Sequence, residues 1–199
     1  MDQPNFRKIH KRLRNNLDYP RYEHTLGVAY TASALAMRYG ADVQNAILAG
    51  LLHDYAKCIS NQKKMDICEK YKITVSEIEF KNPYLLHAKI GSFLAMKKFG
   101  VRDKDVINAI LNHTTGRPNM SLLEKILYVA DYIEPHRKKV PDLAEIRQLA
   151  FEDIDHALLY ILKNTLVHLN SIELEPDPIT EITYEYYNDK FSEYDLKII

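Results

Sequence analysis

The 199-residue sequence has no tryptophan, only six glycines and only two cysteines. Cys58 and Cys68 form no CxxC pair. They supply neither a disulfide framework nor a thiolate metal site, and they suit a reducing cytoplasm. The glycines spell no GxxxxGK[ST] and no GxGxxG, which argues against Walker-type and Rossmann-type phosphate cradles. The longest run of apolar residues and glycine, Ala46–Leu52, is far too short to span a membrane. The opening MDQPNFRKIHKRLR does not read as a signal peptide. Net charge is also lacking, with 27 basic and 27 acidic residues and a pI near 7.1. Neither nucleic acid nor a membrane is therefore expected as a partner held by bulk electrostatics. The zero conceals an asymmetry. Residues 173–199 carry eight acids and two lysines, and residues 1–172 carry 19 acids and 25 bases. A body of charge +6 is joined to a tail of −6.

What is present is helical periodicity and 46% apolar residues, enough for one sizeable core. The pattern predicts helices at about 3–17, 20–39, 42–55, 60–70, 86–99, 103–113, 120–133, 142–150 and 153–170. Gly40 and Gly100 stand at helix C′ positions, with Asp42 and Asp103 following as N-caps. Ser121 and Glu124 spell a capping box, although Asn119 or Met120 could start that helix instead, and Pro135 and Pro141 stop it. Only the Tyr-rich stretch 182–187 has a hint of strand alternation. The fold class is all-α, a bundle of roughly nine to ten helices. The expected organisation is one basic body over 1–172 and an acidic Tyr-rich tail over 173–199. The tail would solubilise the chain, cover an apolar surface, or meet a neighbouring subunit in a homodimer.

Chemistry enters through polar residues on apolar faces. Asp54 shares a helix face with Ile47 and Leu51, and Asp131 shares one with Leu123 and Leu127. A carboxylate on a core face is costly unless a cation accompanies it. His24 lies with Val28 and Leu35, His87 with Ile90 and Leu94, and His113 with Val106 and Ile110. His53 adjoins Asp54. One inward histidine is ordinarily a hydrogen-bonded core residue; four of them with two inward aspartates point to metal. Imidazole and carboxylate without thiolate suit iron, manganese, zinc or a similar divalent ion. Six ligands exceed what one catalytic metal with an open position takes, and fit two. The stretches His24…Asn45-Ala46-Ile47-Leu48…His53 and His87…Asn108-Ala109-Ile110-Leu111…His113 also echo each other. Either this is common helix vocabulary, or two helical hairpins face each other and gather four histidines. His10, His136, His156 and His168 stand in charged or peripheral contexts and are left out. Cys58 reads as a packing residue.

His24, His53-Asp54 and Asp131 follow the order H…HD…D, the signature of the HD superfamily of metal-dependent phosphohydrolases. The flanks RYEHTLGVAYTA (21–32), LAGLLHDYAK (48–57), LLHAKIG (85–91) and NHTTGRPNMSLLEKILYVADYIEPHR (112–137) resemble the bacterial YqeK family within it. The likeness runs from about residue 4 to about residue 178. It implies symmetrical cleavage of diadenosine tetraphosphate into two ADP through a di-metal-activated hydroxide, with a dinucleoside polyphosphate or other nucleotide as the partner. It implies a di-iron centre, and it matches His24, His53, Asp54 and Asp131 to the HD quartet. His87 and His113 match the added histidines of two-metal members, with Asp54 as bridge.

The expected catalytic residues are Asp54 and Lys57, the latter one turn beyond Asp54. Substrate phosphates would be met by Arg21, by Lys57, by the turn Thr114, Thr115, Gly116 and Arg117, and by Arg137. Lys57 has a plainer reading as a helix C-terminal cation, and the segment Thr114 to Pro118 as a plain turn between two helices. Two alternatives remain: a nucleotidase or phosphodiesterase acting on other nucleotides, and an HD domain that binds nucleotides without turnover.

Overall fold

The computed structural model describes residues 5–138 and 141–195, with backbone alone over 192–195. The expected helix start at residue 3 and the side chain of Tyr194 lie outside these bounds. The described residues form eleven α-helices and a single 3-10 turn, Pro83–Leu86, and contain no strand. Nine of the helices are those expected: α1 (Phe6–Asn16), α2 (Tyr19–Tyr39), α3 (Val43–Leu52), α4 (Asn61–Tyr71), α6 (His87–Phe99), α7 (Lys104–Asn112), α8 (Leu122–Ile133), α9 (Leu143–Glu152) and α10 (Ile154–Ser171). The short α5 (Glu77–Lys81) and the terminal α11 (Pro178–Asp195) are additional. The segment 182–187 is helix, so the hint of a strand there is corrected.

Capping explains most boundaries. The side chains of Asp18, Asp42, Ser60 and Asp103 accept backbone N–H groups at the starts of α2, α3, α4 and α7. Ser121 and Glu124 complete a reciprocal capping box on α8. Gly40 and Gly100 close α2 and α6 in the left-handed conformation. The N-caps and glycine stops are thus where the sequence puts them.

The core is built on the α2–α3 hairpin, with α8 across it and α6–α7 alongside. Gly50 is what allows α2 and α3 to touch, because a Cβ there would lie 2.6 Å from Ala29 Cα. Leu35, Leu52, Leu86, Ile90, Ile110, Ile126 and Leu127 are fully buried between these elements. Each such side chain contributes about 1.5–3 kcal/mol on leaving water. The helix α11 packs on α10. Its Tyr187 is completely buried and its hydroxyl accepts the backbone N–H of Met120 at 2.8 Å. No helix among the described residues is long and apolar enough to cross a membrane.

Candidate metal centre

Five helices deliver six polar side chains to one buried place. His24 comes from the second turn of α2, and His87 opens α6. His53 and His113 are the C-cap residues of α3 and α7, where the chain leaves the helix. Asp54 follows in the turn after α3, and Asp131 lies near the end of α8. The paired hairpins α2–α3 and α6–α7 each bring two of the histidines. Ring centroids are 5.5 Å apart for His24 and His53, 5.0 Å for His53 and His113, and 5.1 Å for His87 and His113.

The four imidazoles share one orientation. Each Nδ1 donates to an oxygen that can only accept. His53 Nδ1 meets Gly50 O at 2.7 Å, His87 Nδ1 meets Tyr84 O at 2.8 Å, and His113 Nδ1 meets Ile110 O at 2.7 Å. His24 Nδ1 meets Glu134 Oε1 at 3.1 Å. The proton therefore sits on Nδ1 and the Nε2 lone pair faces inward, the form in which histidine binds metal.

Asp54 divides these four nitrogens between its two oxygens. Its Oδ2 lies 3.8 Å from His24 Nε2 and 3.5 Å from His53 Nε2. Its Oδ1 lies 3.3 Å from His87 Nε2 and 3.7 Å from His113 Nε2. Asp131 Oδ1 completes the first group, 3.0 Å from His24 Nε2. The ligand atoms of His24, His53 and Asp131 lie within 4.8 Å of one another, as do those of His53, Asp54 and His113. His24 Nε2, His53 Nε2 and Asp54 Oδ1 are buried without any hydrogen-bond partner. Buried polar atoms are costly when unpaired. Lone pairs aimed at lone pairs are a donor set for cations, so these residues fit divalent metal, and two ions rather than one.

The HD domain family matches residues 21–136. The chain is 42% identical to a symmetrical bis(5′-nucleosyl)-tetraphosphatase of Bacillus subtilis, covering 87% of this chain and 92% of that protein. It is 44% identical to the enzyme of the same name from Halalkalibacterium halodurans, over 82% of this chain and 87% of that one. This is an HD-domain protein of the symmetrical bis(5′-nucleosyl)-tetraphosphatase family. A crystal structure from Clostridium acetobutylicum, described as a predicted HD superfamily hydrolase involved in NAD metabolism, superimposes with a TM-score of 0.90 at 42% identity. It covers 94% of this chain and 98% of that one.

Electrostatics at the HD centre follow the same logic as its geometry. Burial opposes ionisation of Asp54, yet His53, His113 and Lys57 hold its carboxyl well below the usual range. Asp131 is likewise held down against its burial, by His24, His53 and Arg137. Burial works against charge on His53, and Asp54 with Asp131 overcomes it and pushes the imidazole up. His87 is pushed well down by burial and by the neighbouring His113 and Lys57. The carboxylates are anionic and His87 is neutral, as metal ligation requires.

The residues expected to meet phosphate divide into two sets. Arg21 donates from Nη1 to Asp54 Oδ2 at 2.7 Å. Arg137 reaches Asp131 Oδ1 at 2.9 Å and also donates to Asp131 O. Lys57 Nζ lies 3.2 Å from His87 Nε2 and 4.0 Å from Asp54 Oδ1. Thr114 Oγ1 is 3.3 Å from both His87 Nε2 and His113 Nε2. These four are brought to the centre. The rest of the turn faces elsewhere. Arg117 makes a two-pronged pair with buried Glu124, at 2.7 and 2.6 Å. Thr115 Oγ1 donates to Gly116 O. Gly116 takes a left-handed φ of 67°, and a Cβ there would meet Thr183 of α11 at 2.9 Å. Cys58 is exposed, its Sγ donating to Asp18 Oδ2 at 3.6 Å, so reading it as a packing residue is corrected.

A cavity of about 130 Å³ opens beside the His87–His113 half, between α8 and α10. Lys57, Thr114, Asp131 and Arg137 line it, with Tyr128 and Tyr132 of α8 and Ile161 and Thr165 of α10. Sequence reasoning missed these last four, and it missed Glu134. Tyr128 and Tyr132 were in reach, because they flank Asp131 on one helix, one turn before it and the residue after.

Proposed function

We propose that this chain hydrolyses diadenosine tetraphosphate symmetrically into two ADP, using two divalent metal ions. The observation that carries the proposal is the division of four imidazole Nε2 atoms between the two oxygens of Asp54. His24, His53, Asp131 and Asp54 Oδ2 would hold one ion, and His87, His113 and Asp54 Oδ1 the other. When bound, such ions polarise phosphoryl oxygens and lower the pKa of water. The adenosine and four-phosphate character of the substrate is carried by the names of the relatives.

The chain's own residues then have definite tasks. The cavity is lined by Lys57, Arg137 and the Thr114 hydroxyl, which offset and orient phosphate charge. Water adding to a central phosphorus breaks the central P–O–P link and releases two ADP. Arg21, partly exposed and 2.7 Å from Asp54 Oδ2, would add a further positive charge for phosphate. The donor set suits iron, the metal the resemblance implies, and manganese equally by chemistry. We place the enzyme in the cytoplasm, in keeping with its free thiols, without nucleic acid or membrane as partner, and with a homodimer as one role for α11.

Metal analysis of anaerobically purified protein, with chromatography of the products from diadenosine tetraphosphate, tests this. Two metals per chain and ADP as sole product are expected. Loss of both metal and turnover is expected in His53→Ala and Asp131→Ala. ATP plus AMP would overturn the symmetrical mode. Faster turnover of mononucleotides or cyclic nucleotides would favour a broader phosphohydrolase, and tight nucleotide binding without turnover a binding domain.

A further inference from the structure

Glu134 is a buried carboxylate outside the ligand set. It is the C-cap residue of α8, 1% exposed, and its backbone turns extended there ahead of Pro135. Arg147 holds that turn from α9, donating to the carbonyls of Ile133 and Glu134 at 2.9 and 2.8 Å. The turn aims the carboxylate back at α2. Its Oε1 accepts His24 Nδ1–H at 3.1 Å. Its Oε2 accepts the backbone N–H of His136 at 2.7 Å and lies 3.1 Å from His136 Nδ1. Among the described residues, its ion-pair partners are these two imidazoles, and no lysine or arginine is among them.

The helix facing it is cut to fit. Gly27 lies one turn after His24 on α2. A Cβ on Gly27 would stand 2.3 Å from Glu134 Oε2 and 3.2 Å from His136 Nδ1. At 2.3 Å one of the two must give way, and the carboxylate is the end that can move. Gly27 therefore serves as the slot through which the carboxylate reaches His24. The other three inward histidines are tethered at Nδ1 by a backbone carbonyl three residues earlier in sequence. His24 sits inside α2, where the carbonyl three residues back, that of Arg21, already accepts the Thr25 hydroxyl at 2.8 Å. It needs an acceptor from another element, and Glu134 is that acceptor.

We propose that Glu134, admitted by Gly27, is the positioning residue for His24 in the metal centre. It fixes the Nδ1–H tautomer, sets the ring plane, and makes Nε2 a stronger donor to the ion shared with His53 and Asp131. The inference rests on the metal-binding reading above, and reaches a residue pair that the HD signature does not contain. His136, left out as peripheral, closes the far side of the carboxylate.

The test is titration of metal-stripped protein with Mn²⁺, read by calorimetry and by bound metal per chain. Wild type is expected to bind two ions. Glu134→Gln keeps shape and loses charge, and is expected to weaken one of the two by roughly 10–100-fold and leave the other in place. Gly27→Ala is expected to do the same by pushing the carboxylate off His24. In a Glu134→Ala background, Gly27→Ala is expected to add nothing, because the atom it strikes is gone. A third measurement needs no metal: nitrogen-resolved NMR of the metal-free histidines is expected to show His24 as the Nδ1–H tautomer in wild type and to lose that preference in Glu134→Ala. Two ions bound at wild-type affinity by Glu134→Gln would overturn the proposal alone. So would full additivity of Gly27→Ala with Glu134→Ala, or an unchanged His24 tautomer. A wild type that binds no metal would overturn the metal-centre reading and this one with it.

Discussion

His87 and His113 face each other Nε2 to Nε2 at 3.2 Å, while both Nδ1 protons are given to backbone carbonyls. Two lone pairs at that distance repel unless a proton or a cation comes between them. The protein with metal removed should therefore be less stable, and metal should recover more than an ordinary surface ion does. At a metal concentration 100 times the dissociation constant, binding to the native state contributes about 2.7 kcal/mol. For a chain of this size that is roughly 5–11 °C in Tm. Thermal unfolding in chelator against saturating Mn²⁺ measures it. His113→Ala should bind one ion fewer and show a smaller rise.

Arg21 occupies the oxygen of Asp54 that the first of the two proposed ions would take. The guanidinium sits 2.7 Å from Asp54 Oδ2, and Asp54 is 3% exposed. Without metal, Arg21→Met leaves a buried carboxylate with one cation fewer. The cost is about 1–3 kcal/mol, below that of breaking a wholly buried pair because Arg21 is partly in water. With both ions bound, Asp54 is compensated and the same substitution should cost little. The expected outcome is a Tm deficit in chelator that shrinks with Mn²⁺. A deficit of equal size in both conditions would place Arg21 in the fold alone.

The proposed ligand set could be drawn from sequence because imidazoles and carboxylates on apolar helix faces are costly to bury without a cation. For Asp54 the helical spacing is corrected, because α3 ends at Leu52 and Asp54 lies in the turn after it. Three features were not legible. Arg117 in a Thr-Thr-Gly-Arg-Pro turn carries the composition of a phosphate loop, and only the fold shows Glu124 taking the guanidinium. Glu124 had already been assigned to a capping box, and it serves both. Glu134 follows the last turn of α8, where a carboxylate is expected to face water; its partner His24 is 110 residues away. α11 hides its periodicity because two of its inward residues, Thr180 and Thr183, are polar, and the third, Tyr187, stands in a run of tyrosines and acids. Side-chain pairing across the fold, not local propensity, decides all three, over 7 residues for Arg117 and over 110 and 67 for Glu134 and Tyr187.

Lys57 should separate catalysis from metal binding. Its Nζ is near His87 Nε2 and lines the cavity, and Asp54 Oδ1 is 4.0 Å away. It is a cation beside the donor set and no ligand. Lys57→Met should keep two metals per chain while lowering kcat by about 10²–10³, the usual loss when one preorganised charge-stabilising group is removed. Lys57→Arg keeps the charge, but its planar fork places donors differently, so recovery should be partial. Metal analysis and steady-state kinetics on the same preparations check both. Loss of metal in Lys57→Met would assign the lysine to holding the donors apart.

The terminal helix reaches the turn beside the proposed centre through a hydrogen bond of Tyr187. Tyr187 is fully buried on α11, and its hydroxyl accepts Met120 N–H at 2.8 Å. Met120 ends the turn that begins at Thr114, whose hydroxyl touches both His87 and His113. Gly116 in the same turn lies against Thr183 of α11. Tyr187→Phe keeps the ring and removes the acceptor, leaving a buried N–H unpaired at a cost of about 1–3 kcal/mol. That predicts a fall in Tm of roughly 2–12 °C. If α11 positions the Thr114 turn, KM for the dinucleotide should rise as well, measured well below the new Tm. A lower Tm with unchanged KM would confine α11 to stabilising the bundle.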